Sequence, residues 1–180
     1  MLKNLQMRIG LKLSFLCLFV VAAHWVTAQN NFLIFVTQDG DVAIRITLEN
    51  AYFHISQSGE VEEFGSLTSG KISYNLNGQV DRIGSAKISY NIYDKVSRVG
   101  ETSISYNINH AVDRIDTLNI SYNINGNIEK VGCINFSYNI HNKVNRIGSS
   151  DISYDVFNKV NMISDRDGLI MFCNKTKTTK

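Results

Sequence analysis

The sequence predicts an all-β protein built from tandem antiparallel β-hairpins, and three observations carry this prediction. Residues 71–166 consist of one 16-residue unit written six times without a gap. Each copy opens with alternating polar and apolar residues, and each contains a turn signal near its middle. A fixed period of this kind is typical of repeat architectures, in which each unit buries its apolar face only against its neighbours. We therefore expect an extended meander sheet that twists or curls.

The six copies align without insertions, so the positions of the unit can be numbered 1 to 16. The copies read KISYNLNGQVDRIGSA from Lys71, KISYNIYDKVSRVGET from Lys87, SISYNINHAVDRIDTL from Ser103, NISYNINGNIEKVGCI from Asn119, NFSYNIHNKVNRIGSS from Asn135 and DISYDVFNKVNMISDR from Asp151.

Residues 1–28, at the start of the sequence, have the features of a secretory signal peptide. A basic start is followed by the apolar stretch Leu13–Ala23, which is short for a membrane span. Val26 and Ala28 then occupy the −3 and −1 positions of a cleavage site. We expect cleavage after Ala28 and export to the periplasm, the outer cell surface or the medium. An uncleaved membrane anchor is the alternative.

Cleavage changes the charge of the chain. The full chain has a formal net charge of +2, but residues 1–28 contain three Lys or Arg and no acid. The remainder has 15 basic and 16 acidic residues, a net charge of −1. Nucleic-acid-binding proteins usually carry a net basic patch, so that class is not favoured. Cys133 and Cys173 remain after cleavage, and an exported protein accommodates either a disulfide between them or two free thiols.

The first half of the unit predicts a strand that ends in a tight turn. Positions 1 to 5 alternate, as in Lys71–Asn75, and place Ile and Tyr on one face. Position 5 is Asn in five copies and Asp in the sixth, and these side chains cap turns. Position 8 holds Gly, Asp, His or Asn, which tolerate a positive φ. The two positions together predict a type I turn followed by a left-handed residue, which is a three-residue hairpin loop.

The second half of the unit predicts a strand with an irregularity. Positions 10 and 13 are Val or Ile in every copy. Residues three apart lie on opposite faces of a regular strand. Either a bulge at positions 11 and 12 turns both inward, or each face keeps one apolar row. We favour the bulge, because it pairs Tyr with Val and Ile with Ile across the hairpin.

Two other architectures explain the period less well. Short amphipathic helices are disfavoured, because the unit is rich in β-branched residues and in Asn, which is a poor helix former. A parallel β-helix is the better alternative, although it does not need a tight turn inside every unit.

The segments that flank the array resemble it less closely. Residues 29–50 form a more apolar hairpin, suited to capping the N-terminal end of the array. Residues 51–70 are a degenerate repeat, in which Gly59 and Val61 take the places of Gly and Val at positions 8 and 10. Residues 167–180 contain a closing strand and a basic tail that we expect to be disordered.

The predicted sheet has an apolar face that is too large to remain exposed to water. With about sixteen strands of roughly 4.8 Å spacing, a flat sheet would be too long to stay flat. Its Tyr-Ile-Val band is also too large to remain exposed on a monomer. The sheet therefore coils on itself, folds into two layers or packs against a partner, including a second copy of the chain.

With its positions aligned, the unit resembles the YD repeat of bacterial exported and surface proteins, including Rhs-type and teneurin-like shells. The matching core is Tyr-[Asn/Asp]-x-x-[Gly/Asn]-x-Val-x-[Arg/Lys]-Ile, as in Tyr74–Ile83, and Tyr154 with Asp155 restores the literal pair. The resemblance implies hairpins in a spiralling sheet and a surface or carbohydrate-associated role, in a short exported form typical of Bacteroidetes-like bacteria. The chain departs from the family in its uniform 16-residue period and in having Asn in place of most Asp residues.

The sequence contains no recognisable catalytic motif or set of metal ligands. His110 and His141 occupy turn positions, and His54 lies on a predicted strand. We expect no enzyme activity, no cofactor and no metal. Three acids share position 11 and are interpreted as a solvated row: Asp81, Asp113 and Glu129.

Two positions offer a repeated side chain for binding. Position 4 is Tyr in all six copies; burial with the Ile and Val rows is favoured over exposure to sugar rings. Position 12 would carry cations about 9–10 Å apart, a spacing that suits a periodic anionic polymer. The alternative is a purely solubilising and edge-protecting charge. We call these five residues the basic row: Arg82, Arg98, Arg114, Lys130 and Arg146.

These patterns predict an exported, non-catalytic scaffold of the envelope or cell surface that contacts a glycan or an envelope protein. The alternative is a carbohydrate-binding module that uses the Arg, Asn and Tyr positions. Neither hypothesis calls for nucleic acid or for a membrane span after signal cleavage. A homodimer through the apolar face of the sheet is compatible with both.

Overall fold

The structure is a computed structural model that describes residues 32–48 and 50–174 of the 180. The predicted signal peptide and the last six residues of the basic tail lie outside the described residues. The described part contains seventeen strands and no helix, which confirms the all-β prediction. The strands before the array are β1 (Phe32–Thr37), β2 (Val42–Leu48), β3 (Ala51–Ser56) and β4 (Val61–Ser66).

The six repeats contribute two strands each, and one further strand follows them. The strands are β5 (Ile72–Tyr74), β6 (Val80–Ile83), β7 (Ala86–Tyr90), β8 (Val96–Val99), β9 (Thr102–Tyr106), β10 (Val112–Ile115), β11 (Leu118–Tyr122), β12 (Ile128–Val131), β13 (Ile134–Tyr138), β14 (Val144–Ile147), β15 (Ser150–Tyr154), β16 (Val160–Ser164) and β17 (Ile170–Cys173).

The strands form two sheets. Strands β5 to β16 make a twelve-stranded antiparallel meander in chain order. The other sheet has the order β17-β1-β2-β3-β4 and is antiparallel except for the parallel pair of β1 and β17. This consecutive antiparallel order excludes a parallel β-helix.

The hairpin turns have the predicted geometry. In repeat 1, the Asn75 N–H donates to the Gln79 carbonyl at 2.8 Å and the Gly78 N–H donates to the Asn75 carbonyl at 3.0 Å. Asn75 Oδ1 also accepts hydrogen bonds from the N–H groups of Asn77 and Gln79. Position 8 has a positive φ in all six repeats, from 57° at Asp94 to 77° at Gly78. The capping side chain and the left-handed residue together fix this loop.

The predicted bulge is also confirmed. Tyr74 pairs with Val80, whereas Ser73 pairs with Arg82, so position 11 is the extra residue of the second strand. The same shift recurs in the other repeats. Positions 10 and 13 both turn inward as a result, as Val112 and Ile115 show by their complete burial.

One hydrophobic core connects the two sheets. It combines residues of the five-stranded sheet, such as Ile44 and Phe53, with Val and Ile residues of repeats 2 to 6. The prediction that each repeat buries its apolar face only against its neighbours was therefore wrong. The apolar band is too wide for neighbouring repeats alone to cover, and β1 to β4 cover part of it.

The N-terminal hairpin, expected at the N-terminal end of the array, lies at the other end. The Val144 and Val160 N–H groups of repeats 5 and 6 donate to the Gly40 and Gln38 carbonyls in the turn between β1 and β2. This hairpin is apolar on its inward face, so it is most stable against the inner face of the array. The closing strand β17 then pairs with β1.

Candidate interaction surfaces

The tyrosines of position 4 hold adjacent repeats together. From repeat 2 onward, each Tyr hydroxyl donates to the position 10 carbonyl of the preceding repeat, at 2.5–2.9 Å. Tyr122, for example, bonds to Val112. Burial raises the pKa of Tyr106 and of Tyr154 to about 12. From repeat 2 onward the tyrosines are partly buried against the core, as predicted, whereas Tyr74 of repeat 1 is 64 % exposed.

Two turns of the five-stranded sheet dock onto the position 10 backbone. We call Thr37–Asp41 and Ser56–Glu60 the core turns. The Val112 N–H donates to the Gly59 carbonyl and the Ile128 N–H to the Gln57 carbonyl, both at 2.9 Å. The first core turn receives Val144 and Val160 in the same way, at 3.2 and 3.0 Å. Each core turn therefore accepts backbone hydrogen bonds from two consecutive repeats.

Glycine is needed in the core turns because the tyrosines crowd them. A Cβ at Gly59 would lie 2.3 Å from Tyr122 Oη, and one at Gly40 would lie 2.3 Å from Tyr154 Oη. Such distances are impossible without a shift of the backbone or of the ring. In the repeats that have a glycine at the same turn position, at Gly78 and Gly126, a Cβ would meet nothing within 4 Å.

The basic row lies on the outer face of the twelve-stranded sheet. All five of its residues are exposed. Each pairs with a position 3 serine on the same hairpin, as Arg98 does with Ser89. Arg146 Nε also forms an ion pair with Asp151 at 2.9 Å. Met162 replaces the cation in repeat 6, so the row spans repeats 1 to 5.

The position 11 acids lie on separate hairpins, each one residue before the basic row. Asp113 accepts a hydrogen bond of 2.7 Å from Ser105 Oγ within its own repeat. Asp81 is half-buried and Glu129 is exposed, each on a separate hairpin. Within the described ranges no group of three or more His, Cys, Asp or Glu residues could hold a metal ion. His110 packs edge-on against Tyr93, with ring centroids 4.5 Å apart, and Cys133 and Cys173 are free thiols.

A second row of repeated side chains was not recognised from the sequence. Position 6, the first residue of each hairpin loop, is aliphatic in every repeat and is 89–107 % exposed. A type I turn does not require an apolar residue there, so the agreement among all six copies was the available signal. We call these residues the turn-edge row: Leu76, Ile92, Ile108, Ile124, Ile140 and Val156.

An open cavity of about 290 Å³ lies between β4 and repeats 2 and 3. Its apolar walls are Val61, Phe64 and Val96, together with the rings of Tyr90 and Tyr106. Glu60, Asp94 and Lys95 supply its polar rim. The cavity is in contact with the position 10 backbone and lies on the inner face, away from the basic row.

Comparison with known proteins yields no matching family model and no matching curated protein. Among the residues that the structure describes, no helix is long and apolar enough to cross a membrane.

Proposed function

We propose that this chain is an exported, non-catalytic interaction scaffold of the cell envelope or surface, and that its basic row binds an extended anionic polymer. The observation that carries the proposal is the recurrence of an exposed cation at one position of five consecutive repeats. The Tyr-to-carbonyl bonds and the bulged hairpins hold these repeats in fixed relation. A rigid row lowers the entropy cost of forming several contacts at once.

The spacing and setting of the row favour a glycan with acidic groups over a compact ligand. Successive cations are separated by two strands, about 9–10 Å. Serines beside each cation add hydroxyl groups that can hydrogen-bond a sugar. The Asn side chains of position 5 cap the turns and the Tyr hydroxyls bond to the backbone, so polymer binding relies on the basic row.

The test is retention of the purified chain on envelope polysaccharide and on peptidoglycan. We expect retention at low salt and release at high salt, because exposed charges are screened beyond about 8 Å at physiological ionic strength. Replacing Arg98, Arg114 and Arg146 by Ser should abolish retention while leaving the circular dichroism spectrum unchanged. The matched control replaces the same residues by Lys, which keeps the charge and should keep most of the retention.

Substitutions in the turn-edge row test whether the partner is a glycan or a protein. Changing Ile108, Ile124 and Ile140 to Ser should not affect glycan retention, because these side chains lie at the hairpin tips and not on the outer face. If this triple variant loses binding and the Arg-to-Ser variant keeps it, the partner contacts the apolar tips and the anionic-polymer proposal fails.

A further inference from the structure

Neither core turn docks onto repeats 1 and 2. The core turn Ser56–Glu60 accepts hydrogen bonds from repeats 3 and 4, and the core turn Thr37–Asp41 accepts them from repeats 5 and 6. In the described part of the chain, the N–H groups of Val80 and Val96 do not donate to a core-turn carbonyl. These are the equivalent donors of repeats 1 and 2. The same N–H group donates to a core-turn carbonyl in each of repeats 3 to 6, so this pair suggests a docking position for a further turn.

The tyrosine that borders each occupied docking position is also in place here. The Tyr90 hydroxyl donates to the Val80 carbonyl at 2.9 Å, as Tyr122 does to Val112 and Tyr154 to Val144 at the two occupied positions. The backbone of repeats 1 and 2 therefore offers the same ring and the same pair of donors. We call Val80, Tyr90 and Val96 the third socket.

The cavity lies where the first loop residue of a docked turn belongs. In the occupied core turn, Gln57 holds this place, and its side chain donates to Asn127 Oδ1 at 3.0 Å. Lys95 is the repeat 2 counterpart of Asn127, and it lines the cavity beside Val96. Val61, Phe64 and Val96 give the cavity an apolar side against which an aliphatic residue can pack in the place that Gln57 holds in the core turn.

The inner face of repeat 1 is uncovered as well. Ile72 is 50 % exposed, whereas its counterparts Ile88 and Ile104 are 2 % and 6 % exposed. Tyr74 is 64 % exposed, whereas the corresponding tyrosines of the other repeats are partly buried against the core. The first repeat thus has both an unfilled socket and an unburied apolar face.

Two requirements select the occupant. A docked turn needs glycine at its third loop position, since Gly40 and Gly59 lie against tyrosine rings. Among the repeats, only repeats 1 and 4 have it, at Gly78 and Gly126. The docked hairpin also needs a free inner face, and repeat 4 has none because Ile128 is fully buried. Repeat 1 meets both requirements, and its first loop residue is the exposed Leu76.

We propose that repeat 1 of a second copy fills the third socket, reciprocally, in a twofold dimer. The Gly78 carbonyl of each copy accepts the Val80 N–H of the other, and the Leu76 carbonyl accepts the Val96 N–H. This follows the order in which Gly59 and Gln57 accept from Val112 and Ile128. The Leu76 side chain enters the cavity, and the exposed Ile72 and Tyr74 of both copies become buried. A self-complementary contact of this kind closes at two subunits.

The test is sedimentation velocity of the full chain over a wide concentration range. We expect a monomer–dimer equilibrium for the parent chain. Gly78→Asn should weaken it by at least about tenfold, because a Cβ there would collide with Tyr90 of the partner copy. The turn itself should still form, since Asn142 and Asn158 hold the same loop position with φ of 63° and 59°. The matched control Gly126→Asn should leave the equilibrium unchanged.

A second pair of variants tests the cavity contact without altering a glycine. Leu76→Glu should dissociate the dimer, whereas Ile124→Glu, at the same position of repeat 4, should not. Leu76 is fully exposed in the single chain, so its substitution should not affect folding. A parent chain that stays monomeric at all concentrations overturns the proposal. So does assembly beyond two copies, or equal weakening by the repeat 1 and repeat 4 variants.

Discussion

At the residue scale, each position 4 tyrosine provides both apolar burial and a hydrogen-bond donor. The bulge at positions 11 and 12 separates the position 10 backbone from the next strand, so its carbonyl has no ladder partner there. The Tyr hydroxyl of the following repeat supplies one, as Tyr138 does for Ile128 at 2.7 Å. An unsatisfied buried carbonyl would cost about 1–3 kcal/mol. Phe would fill the same volume but leave that carbonyl unpaired.

The buried tyrosines should make the fold sensitive to alkali. Burial raises the pKa of Tyr106 and Tyr154 from the ordinary value of 10.0 to about 12. In the unfolded chain they ionise near the ordinary value. The free energy of unfolding should therefore be constant with respect to these groups below pH 10 and fall between pH 10 and 12, by on the order of 1 kcal/mol per half-buried tyrosine.

Urea unfolding followed by circular dichroism from pH 8 to pH 12 measures this loss. The variant with both Tyr106→Phe and Tyr154→Phe separates the effect of these two tyrosines from that of all other groups. It should be less stable at pH 8 but should lose less stability above pH 10. An identical pH dependence in the parent and the double variant would show that other groups cause the loss.

At the element scale, the same three-residue hairpin loop is used in two settings. The core turns and the repeat turns share their backbone hydrogen bonds, with Thr37 and Ser56 in the place of the capping Asn. The loops that face solvent accept Asp94, His110, Asn142 or Asn158 at the left-handed position. The core turns have only glycine there, because a tyrosine ring occupies the space of the side chain.

This difference predicts unequal effects for the same substitution. Gly59→Ala should cost about 3 kcal/mol, since it adds backbone strain at a φ of +84° and a collision with Tyr122. Gly126→Ala has a similar φ of +77° but open space around it, and should cost about 1 kcal/mol. Urea denaturation of both variants gives the comparison. Equal losses would mean that the core turns are not held tightly against the tyrosines.

At the scale of the whole described fold, the array is not a chain of independent units. Each core turn bonds to two repeats, and one hydrophobic cluster includes residues of both sheets. In a solenoid, stability is approximately a sum of terms for neighbouring repeats, and unfolding can begin at either end. Here repeats 3 to 6 depend on strands that are far away in the sequence.

We therefore expect a single cooperative unfolding transition. Circular dichroism reports the strands, and tyrosine fluorescence reports mainly the position 4 side chains, which are six of the eight tyrosines, so the two signals should give coincident urea curves. Gly40→Ala should shift both curves equally, although it alters only the first core turn. Two resolved transitions, or a shift in one signal alone, would show that the array unfolds separately from the five-stranded sheet.

The repeat made the local structure readable from the sequence. Asn75, Gly78 and their counterparts determine the turn, and the three-residue separation of Val80 and Ile83 determines the bulge. These features depend on residues within one unit, and the same residue types recur at these positions in all six copies. The basic row could be placed on one face for the same reason, since Arg82 and its counterparts follow the bulge at a fixed position.

The sequence by itself thus determined the fold class, the turns, the bulged pairing and the packing of most position 4 tyrosines against the core. Only the tertiary structure decided what covers the array, because that depends on contacts between residues far apart in the sequence, such as Gly59 and Tyr122. The core turns dock onto repeats 3 to 6, whereas Ile72 and Tyr74 of repeat 1 are exposed. Identical local sequences therefore differ in exposure according to their place in the sheet, a difference that no single repeat encodes.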